Sequence, residues 1–237
     1  MIIIKTKIQL RFAYRYYIGR YRILGTMIEN FLVKRQQEFG QLGVNKHTEI
    51  VIEGFPRAGA NFVAAAVKSL TNLESISYRR HCISQLKEAK RLNTPTIILV
   101  RHPMETIAST YIATQGAISL ETLLKYYFDY YTRALALNYG AFASSDAVFR
   151  SHDTLLEFIE DEFNIKIIRH ESVDKIKISA VEMYEKSPEH IRQIEAPIPT
   201  EYKADLKRKI FENIESEKRY NSCVSLYRNL ITNSVIK

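Results

Sequence analysis

A strand, a glycine loop and a helix follow one another in residues 49–68, EIVIEGFPRAGANFVAAAVK, and this order limits the fold more than any other stretch. The β-branched run Ile50–Ile52 precedes a loop with Gly54 and Gly59, and an alanine-rich segment begins at Phe62. Such a unit places backbone N–H groups at a helix N-terminus, where they can bind a phosphate. The alternative is an ordinary strand–turn–helix connection whose glycines serve only the turn.

The two glycines have the spacing of the first half of a P-loop, G-x-x-x-x-G, but the second half is missing. Ala60 and Asn61 stand where a P-loop has the lysine and the hydroxyl residue that hold phosphate and Mg²⁺. The loop carries its cation inside instead, at Arg57 after Pro56. We therefore predict a phosphate site without the usual magnesium ligand, and we predict no metal. A P-loop nucleotide kinase is an alternative.

A second strand–helix unit covers residues 96–115. Thr96–Val100 has the pattern of a buried strand, Arg101 follows it, and Pro103 suits the first turn of a helix. Ser109 lies eight residues after Arg101. An arginine at a strand end and a serine about two turns into the next helix can hold one anion from two sides. The alternatives are a solvated arginine and a small residue chosen for close packing.

Together, these stretches resemble the PAPS-dependent sulfotransferase family. Residues 54–62 are similar to its 5′-phosphosulfate loop, usually written P-K-S-G-T-T-W, and residues 100–111 are similar to its 3′-phosphate motif. Between them, residues 78–82 (YRRHC) resemble the family's K-T-H segment. Residues 148–156 resemble the strand-to-helix segment that usually contains Y-E-D-L. The likeness covers roughly residues 48–165, with the motifs in the family's order.

The resemblance implies an α/β fold of three layers, α/β/α, with a central, mostly parallel sheet of the P-loop NTPase-like sulfotransferase type. It implies an enzyme that moves a sulfuryl group from PAPS (3′-phosphoadenosine 5′-phosphosulfate) to a hydroxyl or amine acceptor and releases PAP. His81 corresponds to the catalytic base, and Arg57 to the cation at the departing phosphate. The cofactor-binding residues that it implies are Pro56, Arg57, Ala58, Gly59, Ala60, Asn61, Phe62, Arg101 and Ser109.

Several positions depart from the family pattern. Ala58, Ala60 and Asn61 replace hydroxyl residues that bond the 5′-phosphate, and Phe62 replaces a tryptophan. The glycine-rich basic segment that completes the 3′-phosphate site in cytosolic members is not visible. A non-catalytic nucleotide-binding or membrane-surface protein with the same fold is therefore a further alternative.

Length, charge and cysteine content bear on the domain organisation, the ligands and the cellular location. At 237 residues we expect an N-terminal helical segment at 1–47, packed on a sulfotransferase-like α/β domain at 48–237. The net charge of +8 suits a doubly charged nucleotide and an anionic acceptor. Two cysteines form no disulfide framework, and no apolar run reaches about 18 residues. We therefore expect a cytoplasmic protein without a transmembrane segment.

Arginines and aromatic residues alternate in residues 8–24, IQLRFAYRYYIGRYRIL. This pattern is typical of a helix whose arginines snorkel while it packs on its own domain. It is also typical of segments that bind anionic lipid or nucleic acid. We expect packing, with peripheral membrane contact as the alternative and no nucleic-acid partner. The acceptor is expected to be a small molecule, a glycan or a lipid headgroup.

Further elements follow from periodicity and turn signals. Residues 120–139 predict a helix with four tyrosines on one face, which form either core packing or a wall of the acceptor pocket. Residues 146–150 predict the third strand and residues 153–163 an amphipathic helix. The remaining predictions are helices at 172–186, 201–214 and 220–231, with an irregular loop at 187–200.

Overall fold

The computed structural model describes residues 2–34, 43–168, 175, 176, 178, 181 and 201–236. Within these residues, four strands form one parallel sheet in the order β2-β1-β3-β4. The strands are β1 (Ile50–Gly54), β2 (Ile76–Tyr78), β3 (Thr96–Val100) and β4 (Ala141–Ser144). The predicted α/β class with a parallel sheet is confirmed, as are the strands expected at 50–52 and 96–100.

Helices connect and flank the strands. In chain order they are α1 (Ile2–Ala13), α2 (Arg22–Lys34), α3 (Ala60–Leu70), α4 (Ile83–Leu92), α5 (Pro103–Ala113), α6 (Leu120–Ala136), α7 (Ser145–Arg150), α8 (His152–Phe163), α9 (Glu201–Glu215) and α10 (Tyr220–Thr232). A π-helical turn, Tyr14–Ile18, follows α1. Among the described residues, none of these helices combines the length and the apolar character needed to cross a bilayer.

The central strand β3 shows why helices lie on both faces of the sheet. Its side chains are all buried, as in parallel strands that are covered on both sides. Ile98 and Val100 pack into a core with α4, α5, α6, α9 and α10. Ile97 and Leu99 point to the other face, where α3 and α8 cover them. Successive residues of a strand point to opposite faces, so one apolar run supplies both cores.

The predicted third strand at 146–150 is wrong, and so is the strand-to-helix reading of residues 148–156. The strand ends at Ser144, whose Oγ accepts a hydrogen bond from the N–H of Ala147 at 3.3 Å and caps α7. Asp146 then lies in the first turn of α7, where a carboxylate is favourable. The segment 148–156 therefore joins two helices, α7 and α8.

The other predicted elements have mixed outcomes. The helices expected at 153–163, 201–214 and 220–231 are confirmed within one residue at each end, and the helix expected at 120–139 ends at Ala136. Of the helix expected at 172–186, the described residues 175, 176, 178 and 181 are helical. The loop expected at 187–200 lies outside the described residues. Both cysteines, Cys82 and Cys223, are buried thiols.

Candidate active site

The site lies at the carboxyl ends of the strands. The chain passes from β1 to β2 on one side and returns to β3 on the other side of β1. In an open α/β sheet, ligands bind in the crevice at this change of direction. The pairing of Gly54 with Leu99 brings the ends of β1 and β3 side by side. The two stretches that predicted anion binding are therefore neighbours.

The loop after β1 offers backbone donors at the N-terminus of α3. The N–H groups of Ala58 and Phe62, which we expected to bind phosphate, donate to carbonyl groups of the loop itself. Across the described part of the chain, no acceptor meets the N–H groups of Gly59, Ala60 and Asn61. No side chain caps this helix end. Three N–H groups and the positive end of the helix dipole thus remain for an anion.

Only glycine fits at position 59, because of the backbone conformation there and because of the neighbouring ring of Phe149. The φ of Gly59 is +97°, and a Cβ built on it would lie 2.5 Å from Cζ of Phe149 on α7. Phe149 also meets the ring of Phe62 edge-on, with 5.1 Å between the ring centroids. Phe149 therefore covers the loop from the side of β4, a role that sequence analysis missed. Asn61 buries its Oδ1 atom without a partner in the described structure.

Arg57 joins the loop to α5. Its Nε atom donates to Oγ of Ser109 at 3.0 Å. Beside this contact, Oγ1 of Thr110, the residue after Ser109, donates to the carbonyl oxygen of Pro56, the residue before Arg57, at 3.3 Å. The structure thus brings together Arg57 and Ser109, which were predicted as binding residues from separate motifs.

Arg101 lies beside the same loop. Its NH1 group donates to the carbonyl oxygen of Arg57 at 3.4 Å, and its NH2 group lies 3.4 Å from Oε2 of Glu105. The Nε atom is buried and has no hydrogen-bond partner in the described structure, although a carboxylate oxygen of Asp146 lies 3.8 Å away. The guanidinium group therefore keeps one buried donor for a further acceptor.

Glu105 holds a second cation against Arg101. Its Oε2 atom lies 2.6 Å from Nζ of Lys207 on α9, so two cations share one carboxylate oxygen. Two cations that converge on one anionic oxygen form the arrangement that also binds a phosphate. Sequence analysis missed Lys207, because it is one of several basic residues in a charged helix and is 102 positions from Glu105.

His81 has a defined tautomer. Its Nδ1 atom lies 2.7 Å from the carbonyl oxygen of Gly54, and a carbonyl can only accept a hydrogen bond. The neutral ring therefore carries its proton on Nδ1 and its free electron pair on Nε2. Burial first, and then the nearby charge of Arg15, hold the pKa of His81 well below its usual value. The ring is thus a neutral base at physiological pH.

Glu53 positions the backbone of His81. Its two carboxylate oxygens accept the N–H groups of Arg80 and His81, each at 2.7 Å. The side chain is fully buried, and burial raises the pKa of Glu53 to about 7 although these bonds and Arg80 oppose the rise. Glu53 lies one residue before the end of β1, so these bonds connect the segment after β2 to β1.

The N-terminal helices reach the same place. Glu29 of α2 accepts a hydrogen bond from Nε of Arg80 at 2.6 Å, and both side chains are buried. Phe12 of α1 belongs to the core that includes Tyr127 and Tyr130 of α6. The π-helical turn between them carries Arg15, one of the charges near His81. Such turns are frequent at functional sites.

Three non-glycine residues in this site or next to it have left-handed backbone conformations. The φ angles are +70° at Arg57, +62° at Arg79 and +54° at His81. The other described non-glycine residues with positive φ are Asn93, Gln115, Asn138 and Asn164. Asparagine and histidine are enriched in this region, whereas arginine adopts it at a cost of about 1–2 kcal/mol. Strain of this kind concentrates at functional sites.

A narrow pocket opens beside His81. The volume within which the centre of a water molecule fits is about 40 Å³. Phe55 and Pro56 of the loop and Tyr130 of α6 line it, and the hydroxyl of Tyr130 is buried without a partner in the described structure. The other lining residues are Phe12, Arg15, Tyr16, Arg20, Ile83, Tyr126, Asp129 and Arg133.

The tyrosine face of α6 meets both the core and the pocket. Tyr127 and Tyr131 are core residues whose hydroxyls donate to the carbonyl oxygens of Arg101 at 2.8 Å and of Leu99 at 2.7 Å. Tyr126 and Tyr130 line the pocket, and Tyr130 also belongs to the core.

Comparison with known proteins gave no relative: no family model, no curated protein and no solved structure matches this chain. The site is therefore interpreted from its own geometry. That geometry joins Arg57, Arg101 and Ser109 around one loop, and it places His81 in a pocket next to Pro56. Across the described residues, no group of three histidine, cysteine or acidic side chains is placed to hold a metal ion.

Proposed function

We propose that this chain is a PAPS-dependent sulfotransferase, with a fold of the P-loop NTPase-like sulfotransferase type. The observation that carries the proposal is the hydrogen bond from Arg57 to Ser109. It links the loop after β1, with its open backbone donors, to the strand end and helix that carry Arg101. Two anion-binding elements on adjacent strand ends suit a nucleotide with phosphate groups on two positions.

Three features of the site fit the two ends of PAPS. The N–H groups of Gly59, Ala60 and Asn61, together with Arg57, would hold the 5′-phosphosulfate. Arg101 and Ser109 would hold the 3′-phosphate. Support for an anion there comes from the unpartnered Nε of Arg101 and from the carboxylate that bridges Arg101 and Lys207. Lys207 supplies a basic group that the sequence motifs lacked.

The residues of this chain would then do two tasks. When bound, PAPS supplies a sulfuryl group attached to a phosphate leaving group. Nε2 of His81 would accept the proton that an acceptor hydroxyl or amine loses as its oxygen or nitrogen bonds to sulfur. Arg57 and the open N–H groups would stabilise the negative charge left on the phosphate oxygen when its bond to sulfur breaks. Arg57 stays protonated, so it acts through its charge and its hydrogen bonds and does not give up a proton.

The pocket beside His81 is the proposed acceptor site. Its aromatic walls and the free hydroxyl of Tyr130 suit a hydroxyl or amine group that enters from the protein surface. Burial keeps the pKa of Tyr130 well above its usual value, so this hydroxyl can donate a hydrogen bond at any physiological pH. The acceptor class is a small molecule, a glycan or a lipid headgroup. The two buried thiols suit the reducing cytoplasm, which we propose as the location.

A non-catalytic nucleotide-binding protein is the second candidate. Ala58 and Ala60 are buried and offer no side-chain donor to a phosphate, so fewer groups stabilise the leaving oxygen. The same loop does not favour a nucleotide kinase, because no lysine and hydroxyl residue follow Gly59.

Ligand-dependent thermal unfolding separates these functions. PAP in the presence of a chelator should stabilise the protein by about 2.7 kcal/mol at a hundred times its dissociation constant, whereas ATP with Mg²⁺ should not. Transfer of label from [³⁵S]PAPS to a panel of phenols, sugars and lipid headgroups then tests catalysis. Stabilisation by ATP and Mg²⁺ alone would indicate a kinase. Binding of PAP without transfer or release of labelled sulfate would indicate the non-catalytic protein.

A further inference from the structure

The start of the chain is strongly basic. Residues 1–34 contain seven basic side chains and a single acidic one, Glu29, so they carry a net charge of +6 out of +8 for the whole chain. The basic residues are Lys5, Lys7, Arg11, Arg15, Arg20, Arg22 and Lys34. The one acidic side chain is buried against Arg80. Of the basic side chains, Arg15 lines the pocket beside His81 and Arg22 pairs with Glu88, whereas Lys7 and Arg11 of α1 are exposed.

Helix α2 turns its apolar side chains away from the protein. Gly25 packs so closely on Ser84 of α4 that a Cβ would lie 2.7 Å from the serine side chain. One turn later Glu29, only 2% exposed, faces the same way and binds Arg80. On the opposite side of the helix, Ile23 is 67% exposed and Met27 is 64% exposed. Residues four apart share a helix face, so the outer face is an apolar stripe.

Other apolar side chains in residues 10–31 are exposed as well. Leu10 of α1 is one of them, and Lys7, three residues before it on the same helix face, is also exposed. Tyr17 and Tyr21 are also more than half exposed. Within the described residues, seven of the eleven large exposed apolar side chains fall in residues 10–31, so the exposure is concentrated there. We call Leu10, Tyr17, Tyr21, Ile23, Leu24, Met27 and Phe31 the N-terminal apolar surface.

We propose that the N-terminal apolar surface docks on an anionic membrane. An apolar stripe with a basic surround is the composition of helices that lie in the plane of a bilayer interface. Isoleucine and methionine would enter the boundary between headgroups and acyl chains, tyrosine rings would lie at headgroup level, and the exposed Lys7 and Arg11 would meet lipid phosphates. A second copy of this chain fits less well, because the exposed cations Lys7 and Arg11 would meet the same cations of the other copy. This proposal is independent of the sulfotransferase assignment.

Vesicle sedimentation tests the proposal. The full chain is mixed with vesicles of phosphatidylcholine alone and with vesicles containing phosphatidylserine. We expect binding to the anionic vesicles, weak binding to the neutral ones, and loss of most binding when salt rises from about 0.1 M to about 0.5 M. The double variant Ile23→Gln/Met27→Gln should lower the partition coefficient for anionic vesicles by about tenfold or more.

The matched control is Leu135→Gln, which alters an exposed leucine on α6 and should bind like the wild type. Lys7→Gln/Arg11→Gln should reduce binding to anionic vesicles and leave binding to neutral ones unchanged. Circular dichroism and the unfolding temperature establish that each variant is folded. Wild-type protein that ignores anionic vesicles, or a double variant that binds as well as the wild type, would overturn the proposal. So would a wild-type dimer in light scattering that the double variant abolishes while vesicle binding stays absent.

Discussion

The Nε atom of Arg57 lies 3.0 Å from the Oγ atom of Ser109, although 52 positions separate the two residues in the chain. The contact crosses from the loop after β1 to the helix after β3. Either residue alone has an ordinary structural explanation. Their contact favours a joint role in binding one nucleotide, because a cation and a hydroxyl meet at the crevice between two strand ends.

Ser109→Ala should weaken PAP binding by roughly tenfold, which corresponds to the loss of one hydrogen bond to a charged group. Arg57→Ala should weaken it more. Because the two side chains touch, the double variant should lose less than the sum of the single losses, by about 1 kcal/mol in calorimetric titration. The exposed Ser222→Ala on α10 serves as a control and should bind normally. Losses that simply add would mean that the contact plays no part in binding.

Arg101→Ala should weaken binding of PAP by at least about tenfold and binding of AMP only slightly, because only PAP has a 3′-phosphate. The same titration measures both ligands. Arg208→Ala, on the exposed side of α9, removes an equal charge and should affect neither ligand. Equal losses for PAP and AMP would remove Arg101 from the 3′-phosphate site.

Glu105→Gln should strengthen PAP binding, since it removes the negative charge that now lies between Arg101 and Lys207. Lys207→Gln should weaken PAP binding, by roughly tenfold as for other charge-assisted contacts. AMP affinity should change little in both variants. A weaker affinity for PAP in Glu105→Gln would show instead that the carboxylate is needed to orient the two cations.

His81→Ala should abolish sulfuryl transfer and leave PAP binding nearly intact. Because the pKa of His81 is held well below 6.5, the base is already deprotonated at pH 6.5, and the acid-side fall of kcat/KM should lie well below that pH. His47→Ala, which changes an exposed histidine, is the control. Full activity in His81→Ala, or a fall of kcat/KM centred on pH 6.5, would assign the base to another residue.

Glu53→Gln should destabilise the protein more at pH 5 than at pH 8. A carboxyl group with a pKa raised from 4.5 to about 7 binds more protons in the folded state, so its contribution to stability falls as pH rises through that window. The rise in the pKa of Glu53 corresponds to roughly 3 kcal/mol of folding stability, which the wild type loses as pH increases. Glutamine does not titrate, so the variant shows no such loss. Denaturant unfolding at several pH values measures the difference between the two proteins.

Glu88→Gln is a control for that experiment, because the pH dependence of its effect on stability should be reversed. Hydrogen bonds from Arg91, the main cause, and from Arg22 lower the pKa of Glu88, so its contribution to stability is present above pH 4.5 and is lost as pH falls through its folded-state pKa. Glu88→Gln should therefore cost more at pH 8 than at low pH. A penalty for Glu53→Gln that is the same at pH 5 and pH 8 would contradict the raised pKa of Glu53.

The parts of the fold that the sequence predicts well are those with strong local signals. Thr96–Val100 is bounded by Pro95 and Arg101 and contains five residues that suit a buried strand, and the structure has those limits. Strand β4 was misplaced because three of its four residues, Ala141, Ala143 and Ser144, are small and have little strand preference, and Phe142 alone gives only a weak signal. The β-branched and aromatic Val148 and Phe149 attracted the prediction instead, although the Ser144 cap starts a helix before them.

The same distinction between strong and weak local signals applies to the residues of the site. Arg57, Arg101 and Ser109 follow predicted strands at fixed spacings, so the sequence could place them at one sheet edge, and the family resemblance added His81. Lys207 and Phe149 come from distant elements, and their positions depend on packing between helices that no local pattern records. The direction of α2 is a third case, because its apolar stripe alone predicts burial rather than exposure.

The buried pair of Glu29 and Arg80 bears on whether the α/β part of the chain can be studied as a separate fragment. Cutting the chain before residue 48 would remove the carboxylate and leave a guanidinium in the interior, at an expense of about 3–5 kcal/mol. Arg80 is the residue before His81, so the damage would fall on the backbone that carries the proposed base. A shortened α/β fragment would therefore be a poor substitute for the full chain in binding or turnover measurements, even if it could be purified.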